Sequence, residues 1–180
     1  MVKNNYPLPL ILDVIENIGI KKMFIKIDLR WGYNNMRIKE ENKWKVAFTT
    51  PERLFEPTVM FFGLTNSLAT FQTMINELLR DLINTGKVAV FINDIIVGME
   101  DEEGHNGLVA EVVKRLEKNN LYVKLEKCKW KVREVGFLGV VIGLEEIKME
   151  EEKVKGVLDW LTPKCIKNVQ KFLGLANYYC

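Results

Sequence analysis

Val88-Ala89-Val90-Phe91-Ile92-Asn93-Asp94-Ile95-Ile96-Val97 sets two apolar, β-branched runs on either side of a tight polar pair. Such runs read as the two strands of a hairpin whose turn carries Asn93 and Asp94. A second acid sits in a similar setting. Met23-Phe24-Ile25-Lys26-Ile27-Asp28 is a short apolar run ending in a carboxylate, and Trp31-Gly32-Tyr33-Asn34-Asn35 just after it is a turn signal. Acids at a strand end and on a neighbouring hairpin turn can converge on a hard cation, which takes oxygen ligands. Magnesium-dependent phosphoryl chemistry is the reading these two segments suggest. Taken alone, Asp28 reads first as a strand-end or turn aspartate, and Asn93 also reads as a turn residue chosen because asparagine tolerates positive φ.

Outward from the hairpin, the pattern alternates between strands and helices. Strands are expected near 23–28, 35–39, 45–50, 54–60, 88–92, 95–98 and 136–142, and helices over 67–84 and 104–120. The first helix has a cap candidate at Ser67 and apolar residues at Leu68, Phe71, Met74, Ile75, Leu78, Leu79 and Leu82, a spacing near 3.6. The second carries Leu108, Val109, Val112, Val113 and Leu116 after Gly104 and Gly107. Two helices on one face of an antiparallel sheet make an α+β architecture. Beyond Glu150 the pattern turns helical again, through Leu161 and then from about Ile166 to Tyr178.

The 180 residues are 48% hydrophobic, enough for one domain, or a domain with an appendage, that buries a real core. No run of eighteen or more apolar residues occurs, and Met1-Val2-Lys3-Asn4-Asn5 lacks a signal-peptide core, so an intracellular setting and no membrane association are expected. Cys128, Cys165 and Cys180 show no Cys-x-x-Cys spacing, and His105 is the one histidine. Neither a zinc site nor a disulfide framework is expected. His105, beside Gly104, reads as a surface or capping residue and is assigned no role. A net charge of +2 says little about partners. Local clustering says more, since Lys114, Arg115, Lys118, Lys124, Lys127, Lys129, Lys131 and Arg133 are interleaved with Tyr122 and Trp130. That stretch suits a phosphate backbone with stacking on bases, or simply a solvated helix face.

Several further blocks stand in order along the chain: Asn5-Tyr6-Pro7-Leu8-Pro9-Leu10, Ile27-Asp28-Leu29-Arg30-Trp31-Gly32-Tyr33-Asn34, and Phe62-Gly63-Leu64-Thr65-Asn66-Ser67-Leu68-Ala69-Thr70-Phe71-Gln72. The Phe91-to-Asp94 turn, Phe137-Leu138-Gly139 and Phe172-Leu173-Gly174-Leu175-Ala176-Asn177-Tyr178-Tyr179 complete the series. With them the chain resembles the reverse transcriptase of gypsy-class long-terminal-repeat retrotransposons. The resemblance implies a polymerase palm with part of the fingers over residues 1–150 and the start of the thumb or connection region over 151–180. It also implies that the chain begins after the family's basic fingers segment.

The same resemblance assigns roles. Asp28 and Asp94 would be carboxylate ligands and the Leu29 carbonyl a further oxygen donor for two magnesium ions, with manganese as a substitute. Position 93 would be the bridging ligand. Tyr33 would be the aromatic gate against the ribose 2′ position, with Leu29, Phe62 and Gly63 beside the incoming nucleotide. Phe137, Leu138 and Gly139 would grip the primer end. Bland alternatives stand beside these: a core tyrosine at 33, a tight turn at Gly63, and one buried strand through 135–143. Gln72 reads as a helix-surface amide or a template contact, with Asn66 as another candidate contact and Arg30 as a possible phosphate contact. Implied partners are an RNA or DNA template with its primer, deoxynucleoside triphosphates, and neighbouring protease, ribonuclease H and integrase domains.

The departures bear on chemistry. The family's turn usually reads Tyr-x-Asp-Asp, whereas Phe91 and Asn93 stand here at its first and third positions. Leu68 and Arg53 replace a usual proline and glycine, and Glu146 lies where a glycine-bearing turn is common. An asparagine keeps one carbonyl oxygen but carries no charge, so it bridges two divalent ions poorly. The resemblance therefore implies a polymerase of impaired activity, or a nucleic-acid-binding remnant that has lost its metal chemistry. An unrelated α+β interaction domain is the reading that ignores the blocks.

Overall fold

The computed structural model describes residues 3–179; Met1, Val2 and Cys180 lie outside them. The chain opens with α1 (Ile11–Ile18) and β1 (Met23–Asp28). After 3-10 turns at Gly32–Asn35 and Glu40–Val46 come β2 (Phe48–Thr49), β3 (Leu54–Phe55) and α2 (Ser67–Ile83). The hairpin strands β4 (Val88–Phe91) and β5 (Asp94–Met99) follow, then α3 (Glu102–Lys118). Four short strands come next: β6 (Lys129–Val132), β7 (Val135–Phe137), β8 (Val140–Ile142) and β9 (Ile147–Met149). Helices α4 (Glu151–Leu158) and α5 (Ile166–Tyr179) end the described chain.

The main sheet has strand order β4-β5-β1-β6, and β1 is antiparallel to both neighbours. Alternation along β1 divides the protein. Ile25 and Ile27 face α2 and α3, where they join Phe71, Ile75, Leu79, Val88, Val90, Ile95, Val97, Val112 and Leu116 in the larger core. Phe24 and Ile96 point the other way, into a second core with Val14, Ile15 and Ile18 of α1 and Val135, Phe137 and Ile142 of the β7–β8 sheet. The expected pair of helices on one sheet face is present, and the opposite face is covered by α1 and a second sheet of order β7-β8-β9. The architecture is α+β.

The differences from the sequence reading have local causes. Helix α1 forms over 11–18, outside the expected elements, where Ile11, Val14, Ile15 and Ile18 follow the i, i+3, i+4, i+7 rule. The expected strands at 35–39, 45–50 and 54–60 shrink to the two-residue β2 and β3 plus an Arg37–Val59 bridge, because tight 3-10 turns take up the intervening backbone. Strands β6 and β9 were not anticipated, being short, lysine-bearing and on sheet edges. The single strand expected at 136–142 is a hairpin, with Leu138 at φ 55° and Gly139 at φ 87° in the turn. Both residues at positive φ is the twist that a two-residue hairpin loop demands.

Helix ends also differ. Ser67 does not cap α2; it is the first helical residue, and its buried hydroxyl donates to the Phe61 carbonyl at 3.1 Å. Helix α3 starts earlier than expected, capped by Asp101, whose side chain accepts from the Gly104 N–H at 2.6 Å. That earlier start puts His105 inside the helix and fully buried, not in a surface loop. Along α4, α5 and their connection, Leu158, Leu161 and Ile166 stand exposed, Leu161 at 85%. Among the described residues no helix is long and apolar enough to cross a membrane.

Candidate active site

Pairing between β1 and β5 sets Asp28 directly opposite Asp94, so the two acids share one sheet face at the same end. Backbone bonds hold this end together: the Leu29 N–H donates to the Asn93 carbonyl at 2.8 Å, Arg30 N–H to Tyr122 O at 2.7 Å and Lys124 N–H to Asp28 O at 2.8 Å. Asp28 borders an open cleft of about 350 Å³ whose walls also include Trp31, Phe62, Asn93, Lys124 and Lys127. Lys26 lies 3.4 Å from Asp94 and Lys127 lies 4.0 Å from Asp28. Burial raises the Asp94 carboxyl above its ordinary range, while Lys26 opposes that rise.

The turn between β4 and β5 has two residues, Ile92 and Asn93. Positive φ falls on Ile92, at 55°, and not on Asn93, so tolerance of left-handed backbone does not explain the asparagine. A β-branched residue there is strained. Gln72 holds it: its side-chain carbonyl accepts from the Ile92 N–H at 2.7 Å, and its amide donates to the Val90 carbonyl at 3.3 Å and to Asn76 at 2.8 Å. Gln72 is therefore no surface amide. It is fully buried, a placement legible in its spacing of three from Ile75 and seven from Leu79, both core residues of α2.

Asn93 Oδ1 is buried and has no hydrogen-bond partner among the described residues. It lies against Gly32, where an added Cβ would collide with it and stand 2.8 Å from the Phe71 ring. Gly32→Ala is accordingly expected to evict the Asn93 side chain and press on Phe71, lowering stability by about 1–3 kcal/mol as overpacking does. Urea unfolding checks it, and an unchanged midpoint would mean that the turn yields at no cost.

The remaining predicted residues divide between core and cleft. Tyr33 is 3% exposed, edge-on to Phe71 at 5.4 Å and to Phe62 at 4.8 Å, and burial raises its phenol pKa. Phe62 is 73% exposed and lines the cleft in front of it. Gly63 has φ 96° with open space around its missing Cβ, so backbone conformation, not close approach, calls for glycine. Phe137 packs in the second core and leads into the Leu138-Gly139 turn. Arg30 lies over the Trp31 ring at 5.9 Å.

The basic stretch does not act as one patch. Arg115 is committed to α2, pairing with Asp81 at 2.5 and 2.8 Å and with Glu111 at 2.7 Å, and it holds the Asp81 carboxyl down to about 2. Lys124 and Lys127 reach the cleft, and Tyr122 and Trp130 are exposed. The sequence reading named the stretch but missed Lys26, which lies outside it.

Residues 2–142 match the sequence model of the family described as reverse transcriptase (RNA-dependent DNA polymerase). The chain belongs to the reverse transcriptase family. This reverse transcriptase domain is 36% identical over 179 residues to the Pol polyprotein from transposon opus of Drosophila melanogaster, covering 99% of this chain and 18% of that one. It is 32% identical to the polyprotein from transposon gypsy of the same organism, over 99% of this chain and 17% of that one. The Tf2-3 polyprotein of Schizosaccharomyces pombe is 33% identical, with 97% of this chain and 13% of that one covered. The chain thus spans less than a fifth of the length of these relatives. Among solved structures it resembles a foamy viral protease-reverse transcriptase in complex with RNA/DNA hybrid, with a TM-score of 0.86, 26% identity, and coverage of 98% of this chain and 24% of that one. A second foamy viral structure, in complex with double-stranded DNA, gives a TM-score of 0.88 at 26% identity over 99% of this chain and 30% of that one.

Proposed function

We propose that this reverse transcriptase domain is an RNA-directed DNA polymerase palm whose nucleotidyl transfer is impaired at Asn93. The observation that carries the reading is the direct pairing of Asp28 with Asp94 beside a lysine-lined cleft. Two facing carboxylates and the Leu29 carbonyl are a donor set suited to a hard divalent ion. A third acid is missing, since among the described residues no three His, Cys, Asp or Glu side chains converge. Magnesium, or manganese in its place, would supply the Lewis acidity that activates a primer 3′-hydroxyl and neutralises the triphosphate.

The chain's own residues then do the positioning. Lys124 and Lys127 face the anionic substrate in the cleft, Phe62 lines it with Gly63 next in the chain, and Tyr33 backs Phe62 as the sugar gate. The Phe137-Leu138-Gly139 hairpin turn meets the primer end. Template with primer and deoxynucleoside triphosphates are the substrates. Residues 1–150 serve as palm and partial fingers and 151–180 as the start of the thumb, with protease, ribonuclease H and integrase as neighbouring domains. An intracellular setting, in cytoplasm, particle or nucleus, suits such an enzyme.

One observation favours a second reading, a binding remnant without catalysis: the Asn93 oxygen is buried on Gly32. Primer extension on an RNA template with magnesium or manganese separates the two, with Asp28→Ala as control. Weak extension that disappears in the control supports the polymerase. Tight duplex binding at low salt with no extension under any metal, from this chain or its Asn93→Asp variant, leaves the remnant.

A further inference from the structure

Lys26 breaks the apolar run of β1, on the sheet face that carries Asp28 and Asp94, and its side chain is 21% exposed. Its ammonium has three donors, no acceptor and one full charge. It lies 3.4 Å from Asp94 Oδ1, donates to the Gly136 carbonyl at 3.2 Å, and stands 5.9 Å from the centre of the Phe137 ring. Asp94 begins β5 of the main sheet, while Gly136 and Phe137 belong to β7 of the other sheet. The two sheets share no strand ladder, so their spacing at this end is set by side chains. Lys26 touches both the acid and the hairpin backbone.

From this geometry we infer that Lys26 is a positioning residue: by holding Asp94 and the β7–β8 hairpin on one ammonium, it fixes where the primer terminus lies relative to the carboxylates. The inference rests on the polymerase reading above, and it adds a determinant that neither the motif blocks nor the basic stretch contains. Its logic is geometric. Reacting groups misplaced by about 1 Å lose on the order of a hundredfold in rate. Duplex affinity, which comes mainly from phosphate contacts, is a separate quantity.

The test uses the full chain and a DNA primer on an RNA template with 2-aminopurine as the 3′-terminal primer base. With the unaltered protein at low salt, binding changes the fluorescence of that base to a value set by its surroundings. Lys26→Met keeps the stem and removes the charge and the donor. It is expected to bind within about threefold of the unaltered affinity, but with terminal fluorescence displaced toward that of the free duplex. Lys26→Arg, which keeps a charged donor, is expected to restore the bound signal. In an Asn93→Asp background, Lys26→Met is expected to lower kcat by about 10- to 100-fold with KM nearly unchanged.

A terminal signal in Lys26→Met equal to that of the unaltered chain overturns the inference while leaving the polymerase reading intact. Failure of the unaltered chain to bind the duplex at all defeats the polymerase reading first. Should Lys26→Met lose its fold, Lys26→Gln, which keeps a neutral donor but not the charge that holds Asp94, takes its place. The same displacement of the terminal signal then supports the inference, and an unmoved signal rejects it.

Discussion

Asn93→Asp is expected to raise magnesium-dependent primer extension by about a thousandfold over the unaltered chain. A full negative charge about 4 Å from a divalent ion is worth roughly 4 kcal/mol per unit charge at an effective dielectric near 20. At about 1.4 kcal/mol per decade, that is close to three powers of ten in rate. The substitution is nearly isosteric, and the fold already stitches this turn to β1 through the Leu29–Asn93 bond. A second signature comes with it. In the absence of metal the new carboxylate occupies the site of an oxygen that is buried, unpartnered and pressed on Gly32. Burying an unpaired charge is costly, so the variant is expected to melt below the unaltered protein in chelator and to gain more from added magnesium. Thermal unfolding with and without magnesium reads this directly. A variant silent in extension and indifferent to magnesium, yet bound to duplex as before, would defeat the view that Asn93 alone disables the site.

The second large effect belongs to Gln72. Gln72→Leu fits the volume but leaves the Ile92 N–H and the Val90 carbonyl without their side-chain partner, and removes the link to Asn76. Each buried backbone group so orphaned costs about 1–3 kcal/mol, so a loss of about 2–4 kcal/mol is expected. Urea unfolding measures it. Gln72→Glu keeps an acceptor for Ile92 but buries a carboxylate against the Val90 carbonyl and Asn76 Oδ1, so at neutral pH it should be no more stable than Gln72→Leu. The loss is more than a matter of stability, because the bond to Ile92 secures a left-handed residue next to Asn93 and Asp94. Hydrogen exchange at the Ile92 amide should quicken in Gln72→Leu more than at Ile96, in mid-strand. A midpoint within experimental error of the unaltered chain would show that water takes over both bonds.

Much of this was legible before any coordinates. The β1 run 23–28 and the helix face of Leu79, Ile75 and Phe71 announced themselves by period, because burial against one neighbour selects one face. The hairpin 88–97 was readable because two β-branched runs flank a polar pair. The pairing of Asp28 with Asp94 followed only from the register, which no local pattern contains. The strands expected at 35–39, 45–50 and 54–60 are cut short, since short apolar stretches look alike whether they pair or curl into 3-10 turns. Lys26 went unremarked because a lysine in a strand ordinarily faces water, and its partners are 68 and 110 residues away. The orientation of Asn93 depends on the absence of a Cβ at Gly32, a contact across 61 residues.

The two cores differ in how far apart their contributors lie along the chain. The larger draws on residues 25–128, whereas the smaller joins residues 14–18 to 135–142. A chain emerging from the ribosome can therefore complete the helix-backed side of the sheet before the hairpin that covers Phe24 has been made. Until then α1 has only half of its apolar cradle. The β7–β8 hairpin is therefore expected to open as a unit of its own, exchanging amide hydrogens while the larger core stays shut. Closure of that unit is the late, long-loop step of folding, and it is the step that brings the hairpin to the acids.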